Sequence, residues 1–187
     1  MAQRFLEYAP APVRDPIVEQ GRGGLLSHAW EAWFHRLPHS VLERPSCHIA
    51  RSTNQSIDTA TWTTLLFNSE EHDNAAMHNT TSNTDRITIP SDGIYAMGAY
   101  AIFAANGTGT RSLQVSLNNA TPGSGAILQT EIDGLASLAV YFNVMGTRTL
   151  SGGDILRCDV WQNSGGALNL LSSGLVSPRF WCFKVSD

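Results

Sequence analysis

The densest cluster of ionisable side chains in the sequence is Glu70-Glu71-His72-Asp73, with His78 a short way on. Carboxylates are hard oxygen ligands, so a divalent cation would be sought in such a run. It has neither the regular ligand spacing nor the turn glycine of a calcium loop, and the expectation is a solvated acidic loop without metal. His28 and His35 fall in a helical stretch and His39 just beyond it, with no glutamate at zinc-hydrolase spacing, so they read as a polar flank. Gly123-Ser124-Gly125 lacks the strand-to-helix elbow that exposes a nucleophilic serine, and Gly107-Thr108-Gly109 opens no helix that could cradle phosphate. Two acid pairs, Asp154 with Asp159 and Glu131 with Asp133, are of the kind that hydrolyses glycans, but no pattern marks a cleft around them. The expectation is a protein without catalytic residues, metal or cofactor.

The elements that carry these residues come in two unlike parts. With 187 residues the chain holds one ordinary domain and a short extension. Residues 1–45 contain five of the eight prolines and balance five arginines against five acids; the remainder has seven basic and eleven acidic residues. Charged residues make up 15% of the chain, with Lys184 the single lysine, so neutral Thr, Ser, Asn and Gly must cover the surface. A net charge of −4 offers no basic footprint for nucleic acid. No apolar stretch reaches the ~20 residues that cross a bilayer, and the N-terminus lacks a charged-then-apolar leader, so synthesis in the cytoplasm without a signal peptide is expected. Cys47, Cys158 and Cys182 are odd in number and far apart, which predicts buried free thiols.

Ala9-Pro10-Ala11-Pro12 and Asp15-Pro16 favour an extended arm. After Gly21-Arg22-Gly23-Gly24, helical spacing of Leu26, Trp30, Trp33, Phe34 and Leu37 predicts a short amphipathic helix, with Ser27 as N-cap and Pro38 as stop. So short a helix is marginal alone, and its aromatic side chains need a surface to cover them.

From Ser46 the period changes to two. Alternation predicts strands at Cys47–Arg51, Thr61–Phe67, Asp85–Ile89, Gly93–Ala104, Arg111–Leu117, Ala126–Ile132, Leu135–Val144, Asp154–Trp161, Ala167–Leu171 and Arg179–Val185, separated by Gly, Pro, Asn and Asp turns. Eight to ten short strands without helical interruption make an all-β antiparallel sandwich, most simply a jelly roll. Gly93–Ala104 is apolar on both faces, and Leu135–Val144 and Arg179–Val185 behave similarly. Antiparallel sandwiches wet their outer face. Strands that do not wet it predict cover from further copies of the chain, hence an obligate oligomer.

Phe67, Asp73, His78, Ile87 and then Gly93-Ile94-Tyr95-Ala96-Met97 follow an order that resembles the signature of the complement-globular-head and tumour-necrosis-factor-like jelly rolls. Arg111–Asn118, Gly153-Asp154-Ile155-Leu156 and the aromatic strand Phe180–Phe183 continue it, over roughly Ser46 to Asp187. His78 replaces an aromatic there, and Ile87 and Met97 each replace a phenylalanine. The resemblance implies a tight homotrimer, with Ile94, Tyr100, Ile102, Tyr141, Trp181 and Phe183 as candidate contacts.

A lysine-poor, Thr/Asn/Gly-rich head of this kind, behind Asp15-Pro16-Ile17-Val18 and Ala29-Trp30, Trp33-Phe34 and Leu37, resembles tailed-bacteriophage fibre, spike or head-decoration proteins. That implies a virion structural protein on the particle surface. Residues 1–45 would anchor it to other virion proteins through Leu26, Trp30, Trp33, Phe34 and Leu37, and the head, residues 46–187, would project without entering a membrane. The head is then expected to bind a host-surface glycan or protein, with Glu70, Glu71, His72, Asp73, Asn106 and Thr108 as candidate contacts. A purely architectural decoration or collar subunit is the alternative, with a glycan depolymerase behind it.

Overall fold

Alternation of apolar and polar residues is realised as twelve strands: β1 (Ser46–Ala50), β2 (Gln55–Ile57), β3 (Thr63–Thr64), β4 (Ser69–Asp73), β5 (Ile87–Thr88), β6 (Gly93–Phe103), β7 (Thr110–Leu117), β8 (Ala126–Asp133), β9 (Val140–Leu150), β10 (Ile155–Gln162), β11 (Leu168–Leu170) and β12 (Arg179–Ser186). The computed structural model describes residues 16–17, 26–41, 44–173 and 176–187, and the side chains among these outside 35–41. The chain divides into two compact units, Met1–Arg44 with Asp187, and Pro45–Ser186. Most of the arm expected at Ala9–Pro16 lies outside the described residues.

In the first unit α1 spans His28–Val41. Its first turn starts on the Ser27 carbonyl, which accepts the Glu31 N–H at 2.9 Å. The expected N-cap bond is not made, because the Ser27 hydroxyl is buried without a hydrogen-bond partner. Nor does Pro38 stop the helix, which continues to Val41. A proline deletes one ladder bond, here the one to the Phe34 carbonyl, and the turns on either side can keep theirs. Spacings of three and four bring Trp30, Trp33 and Phe34 together, with ring centroids 5.1 to 5.8 Å apart.

The second unit is an antiparallel jelly-roll sandwich. Its front sheet runs β4–β1–β12–β6–β9, with β11 and then β2 continuing from the Phe103 end of β6; its back sheet runs β8–β7–β10–β3, with β5 also on β10. Inward residues of both sheets close one core, including Cys47, Ile49, Tyr95, Met97, Phe103, Phe142 and Phe180 from the front and Leu113, Val115, Cys158 and Val160 from the back. All three cysteines are buried and free. Burial pushes the Cys182 thiol up to about 12 and the Cys158 thiol well above its usual value. It does the same at Cys47, with Asp73, Glu70 and Cys182 adding to the effect.

Two strand boundaries depart from the alternation pattern. Thr61–Phe67 keeps only Thr63–Thr64 as strand, because the Phe67 N–H leaves the sheet for the Thr84 carbonyl at 2.8 Å. The strand expected at Leu135–Val144 begins at Val140 and runs on to Leu150. Residues 134–139 form a loop pinned by the Gly134 N–H on the Gly109 carbonyl at 2.9 Å. The added stretch, with Thr147, Arg148 and Thr149, has no apolar alternation to announce it.

Candidate functional site

The front sheet turns a second apolar face away from the core. Register sets His72, His48, Trp181, Gly98 and Met145 in one row across five strands, and Ser46, Phe183, Ala96 and Thr147 in the next. Gly98 belongs there for steric reasons: a Cβ would stand 2.4 Å from Trp181 Cζ2, so the indole lies directly over the backbone. Trp181 stacks on Phe183, centroids 5.3 Å apart and planes 19° apart, and Tyr100 meets Tyr141 at 6.4 Å. Burial raises the Tyr100 pKa above its usual value, with Tyr141 adding to the shift and Arg179 opposing it. Met145 is 66% exposed, Tyr141 53% and Phe183 45%. Both Met145 and Tyr141 lie on β9, an eleven-residue strand paired on one side with β6 and, among the described residues, with no strand on its other edge. An uncharged stretch such as Val140–Gly146 on an open edge invites pairing or cover.

Five of the six candidate subunit contacts, Ile94, Tyr100, Tyr141, Trp181 and Phe183, lie on this face and are exposed or half-buried. Ile102 is a correction. It is only 1% exposed in a single copy, so it has little surface left to offer.

The candidate recognition residues separate. Glu70, Glu71, His72 and Asp73 do not form a loop: they are the edge strand β4, paired with β1 and bulged at Glu71. Charged side chains on a sheet edge are a common protection against edge-to-edge association, which explains an acidic string in extended conformation. Asp73 accepts the backbone N–H groups of Ala75, Met77 and His78, and Glu70 bonds the buried His78 ring at 2.9 Å, so these two hold the following loop in place. Among the described residues no group of His, Cys, Asp or Glu could hold a metal ion.

Asn106 and Thr108 do sit on a loop, and their neighbours define one end of the sandwich. A Cβ on Gly107 would touch Ala136, and a Cβ on Gly109 would touch Asn163. Pro45, whose carbonyl accepts the Lys184 N–H, lies at the opposite end beside Ser91 and Gly93. The Asn119–Ser124 loop shares the Pro45 end, where Asn118 bonds Asp154 and Gly152 bonds Asp92. What organises the Asn106–Thr110 loop is Arg111, which the sequence reading passed over. Its guanidinium is fully buried, lies 5.9 Å from the Phe103 ring, and donates to the carbonyls of Asn106, Thr108 and Thr110 at 2.9 to 3.0 Å. Burial lowers its pKa. The signal was an arginine at an inward position of β7, in step with Leu113 and Val115.

Three of the four paired acids take structural positions, and Asp133 is exposed at the end of β8. Asp159 is 1% exposed and accepts from the Thr64 hydroxyl at 2.6 Å, the Gln114 amide at 3.0 Å and the Gly123 N–H at 3.4 Å. Asp154 accepts from Asn118 and from the Ser151 N–H, closing the β9–β10 turn. Glu131 accepts from Ser112 across β8 and β7. Of the anchor residues, Trp30 and Trp33 are half-buried, Phe34 is exposed, Leu26 precedes the helix, and the Leu37 side chain lies outside the described ones.

This arrangement of sheets is similar to solved structures that include the following two. Murine APRIL, at pH 5.0, superposes with a TM-score of 0.58 at 14% identity, over 76% of this chain and 99% of that one. The globular domain of zebrafish complement 1qA gives 0.52 at 17% identity, over 75% and 97%. The head has the tumour-necrosis-factor-like and complement-globular-head-like jelly-roll fold. No family model and no curated protein sequence matches the chain. At these identities the likeness is one of fold. In jelly-roll terms, the apolar face just described is the outer face of the sheet β4–β1–β12–β6–β9, and Asn106 and Thr108 lie on the β6–β7 connection.

Proposed function

We propose that this chain is a non-enzymatic, self-associating structural protein: a homotrimeric spike or fibre head on a virion surface. Residues 1–45 anchor it to another virion protein, and the jelly roll projects toward a host-surface glycan or protein. One observation carries self-association. The outer face of the front sheet is apolar from Trp181 and Phe183 to Tyr141 and Met145, and that last strand presents an open edge. A second copy is the natural occupant, because each copy brings both the apolar face and the exposed β9 edge, with Leu138 of the adjoining loop also exposed. Placement supports the orientation. The head leaves its N-terminal segment at Pro45, and the Asn106–Thr108 loop stands at the other end. Three weak sites on one rigid trimer would bind a repetitive surface far more strongly than one. The absence of enzymatic activity is supported by Asp154, Asp159 and Glu131, whose oxygens are engaged in turns and strand contacts.

A purely architectural decoration or collar subunit is favoured by one specific observation: four of the six proposed recognition residues form the edge strand β4 instead of a loop. Sedimentation of the full chain tests the common core of both readings. A three-copy species at about micromolar concentration is expected, and a single-copy species there overturns self-association. Specific retention of the trimer on host envelope material separates recognition from architecture.

A further inference from the structure

On the apolar face one titratable ring stands between an indole and a second imidazole. His48, on β1, is flanked by Trp181 on β12 and His72 on β4. With Ser46, Cys47, His72, Trp181 and Phe183 it lines a shallow pocket of about 340 Å³. Its Nδ1 lies 3.1 Å from Glu71 Oε2, so the neutral ring can donate there. Glu71 is already held by Arg179, whose Nη1 reaches its two oxygens at 2.7 and 2.8 Å. The carboxylate and the guanidinium balance one another. A proton added to His48 therefore leaves this cluster with net positive charge.

No other acid on the neighbouring strands is placed to absorb that charge. On β4, Glu70 bonds His78 and Asp73 bonds three backbone N–H groups, while the His72 Nε2 lies 2.7 Å from Ser46 Oγ. On β12, Lys184 donates to Ser91 Oγ, and Cys182 faces the core beside Cys47. We propose that His48 makes association through this face acid-labile, the neutral ring tolerating an apolar cover by a second copy and the imidazolium opposing it. The inference rests on the reading that a second copy covers the face.

The sign follows from burial. Desolvation lowers the His48 pKa from its usual 6.5; Glu71 pulls it back, and Arg179 and His72 lower it again. Cover by a second copy deepens the desolvation, so the separated copy binds the proton more tightly than the assembly does. Association is then at full strength near neutral pH and is lost as the pH falls through the separated copy's pKa.

Sedimentation equilibrium of the full chain at about pH 7.5 and about pH 5, with near-ultraviolet circular dichroism to confirm the fold at both, tests it. Association should weaken by about tenfold or more at the lower pH, and His48→Gln, which keeps a donor toward Glu71, should abolish that dependence. If His48→Gln fails to assemble at the higher pH, the untitratable His48→Phe replaces it under the same expectation. Equal association at both pH values overturns the switch and leaves self-association standing. A pH dependence unchanged in the variant also overturns the switch. A single-copy species at the higher pH overturns self-association, and the switch with it.

Discussion

The outer faces of the two sheets are built on opposite plans. On the back sheet the central outward residues are polar and yet buried: Ser112, Gln114 and Ser116 of β7 and Asp159 of β10 are all at most 1% exposed. On the front sheet several outward residues are aromatic or apolar and yet open, Tyr141, Met145 and Phe183 among them. The chain covers its polar face with its own loops, Trp62 lying over Gly123 and Arg157 donating to the Asn119 carbonyl at 2.9 Å, and leaves its apolar face uncovered. Covering a polar surface from within requires partners in a fixed geometry, which a local loop can supply for most groups, Ser116 Oγ being left without one. Covering an apolar surface requires only area and shape, which another copy can supply.

The largest expected effect breaks the front face. Phe183→Asp puts a charge on a side chain that stacks on Trp181 and is exposed in the single copy. Beneath a second copy that carboxylate is stripped of water on an apolar face, which costs about 3–5 kcal/mol of association. The unfolding free energy of the separated copy should change by about 1 kcal/mol or less, because the side chain remains in water there. Sedimentation and chemical denaturation of the same variant read the two quantities separately. A variant that assembles as tightly as the parent would show that Phe183 lies outside the interface.

The complementary break is on the back face. Asp159→Ala leaves the Thr64 hydroxyl, the Gln114 amide and the Gly123 N–H without their shared acceptor under a closed loop. About 3 kcal/mol of unfolding free energy should be lost, with Asp159→Asn recovering part of it through the oxygen it keeps. Stability of the separated copy falls here while the front face keeps its shape. Denaturation midpoints for Asp159→Ala and Phe183→Asp should therefore move in opposite proportion to their sedimentation behaviour.

How much of this could be read in advance depends on the kind of contact. The apolar alternation of Gly93–Phe103 and Arg179–Ser186 is period-two on both faces, so the strands, the sandwich and the surplus of apolar surface were all legible. The edge strand Ser69–Asp73 was not, because four ionisable residues in a row carry no apolar period and look like any solvated loop. Ile102 misled for the opposite reason: alternation assigns a face, and the local chain path decides whether that face is open. Arg111 and His48 were invisible as sites. Their importance comes from carbonyls, a carboxylate and an indole brought from other strands, and no local pattern in a single sequence encodes those meetings.

The smallest expected effect sharpens the comparison by pH. Asp85 receives Arg86 at 2.8 and 3.0 Å and Arg157 at 2.8 Å, and Arg157 in turn holds the loop that covers the back face. Burial alone would raise the Asp85 pKa, but hydrogen bonds from Arg86 and Arg157 outweigh it and bring the value below the usual 3.8. A carboxylate with a depressed pKa adds stability that is complete above its unfolded value and is lost as the pH falls through its folded one. The back cover should therefore loosen only below about pH 4, by about 1 kcal/mol, and Asp85→Asn should remove that acid limb from the stability profile. The front face responds in a higher window, where His48 takes its proton. Acid titration followed by sedimentation and by near-ultraviolet circular dichroism should thus show dissociation first and loosening of the fold later. A single transition reported together by both probes would mean that the two faces are not independent.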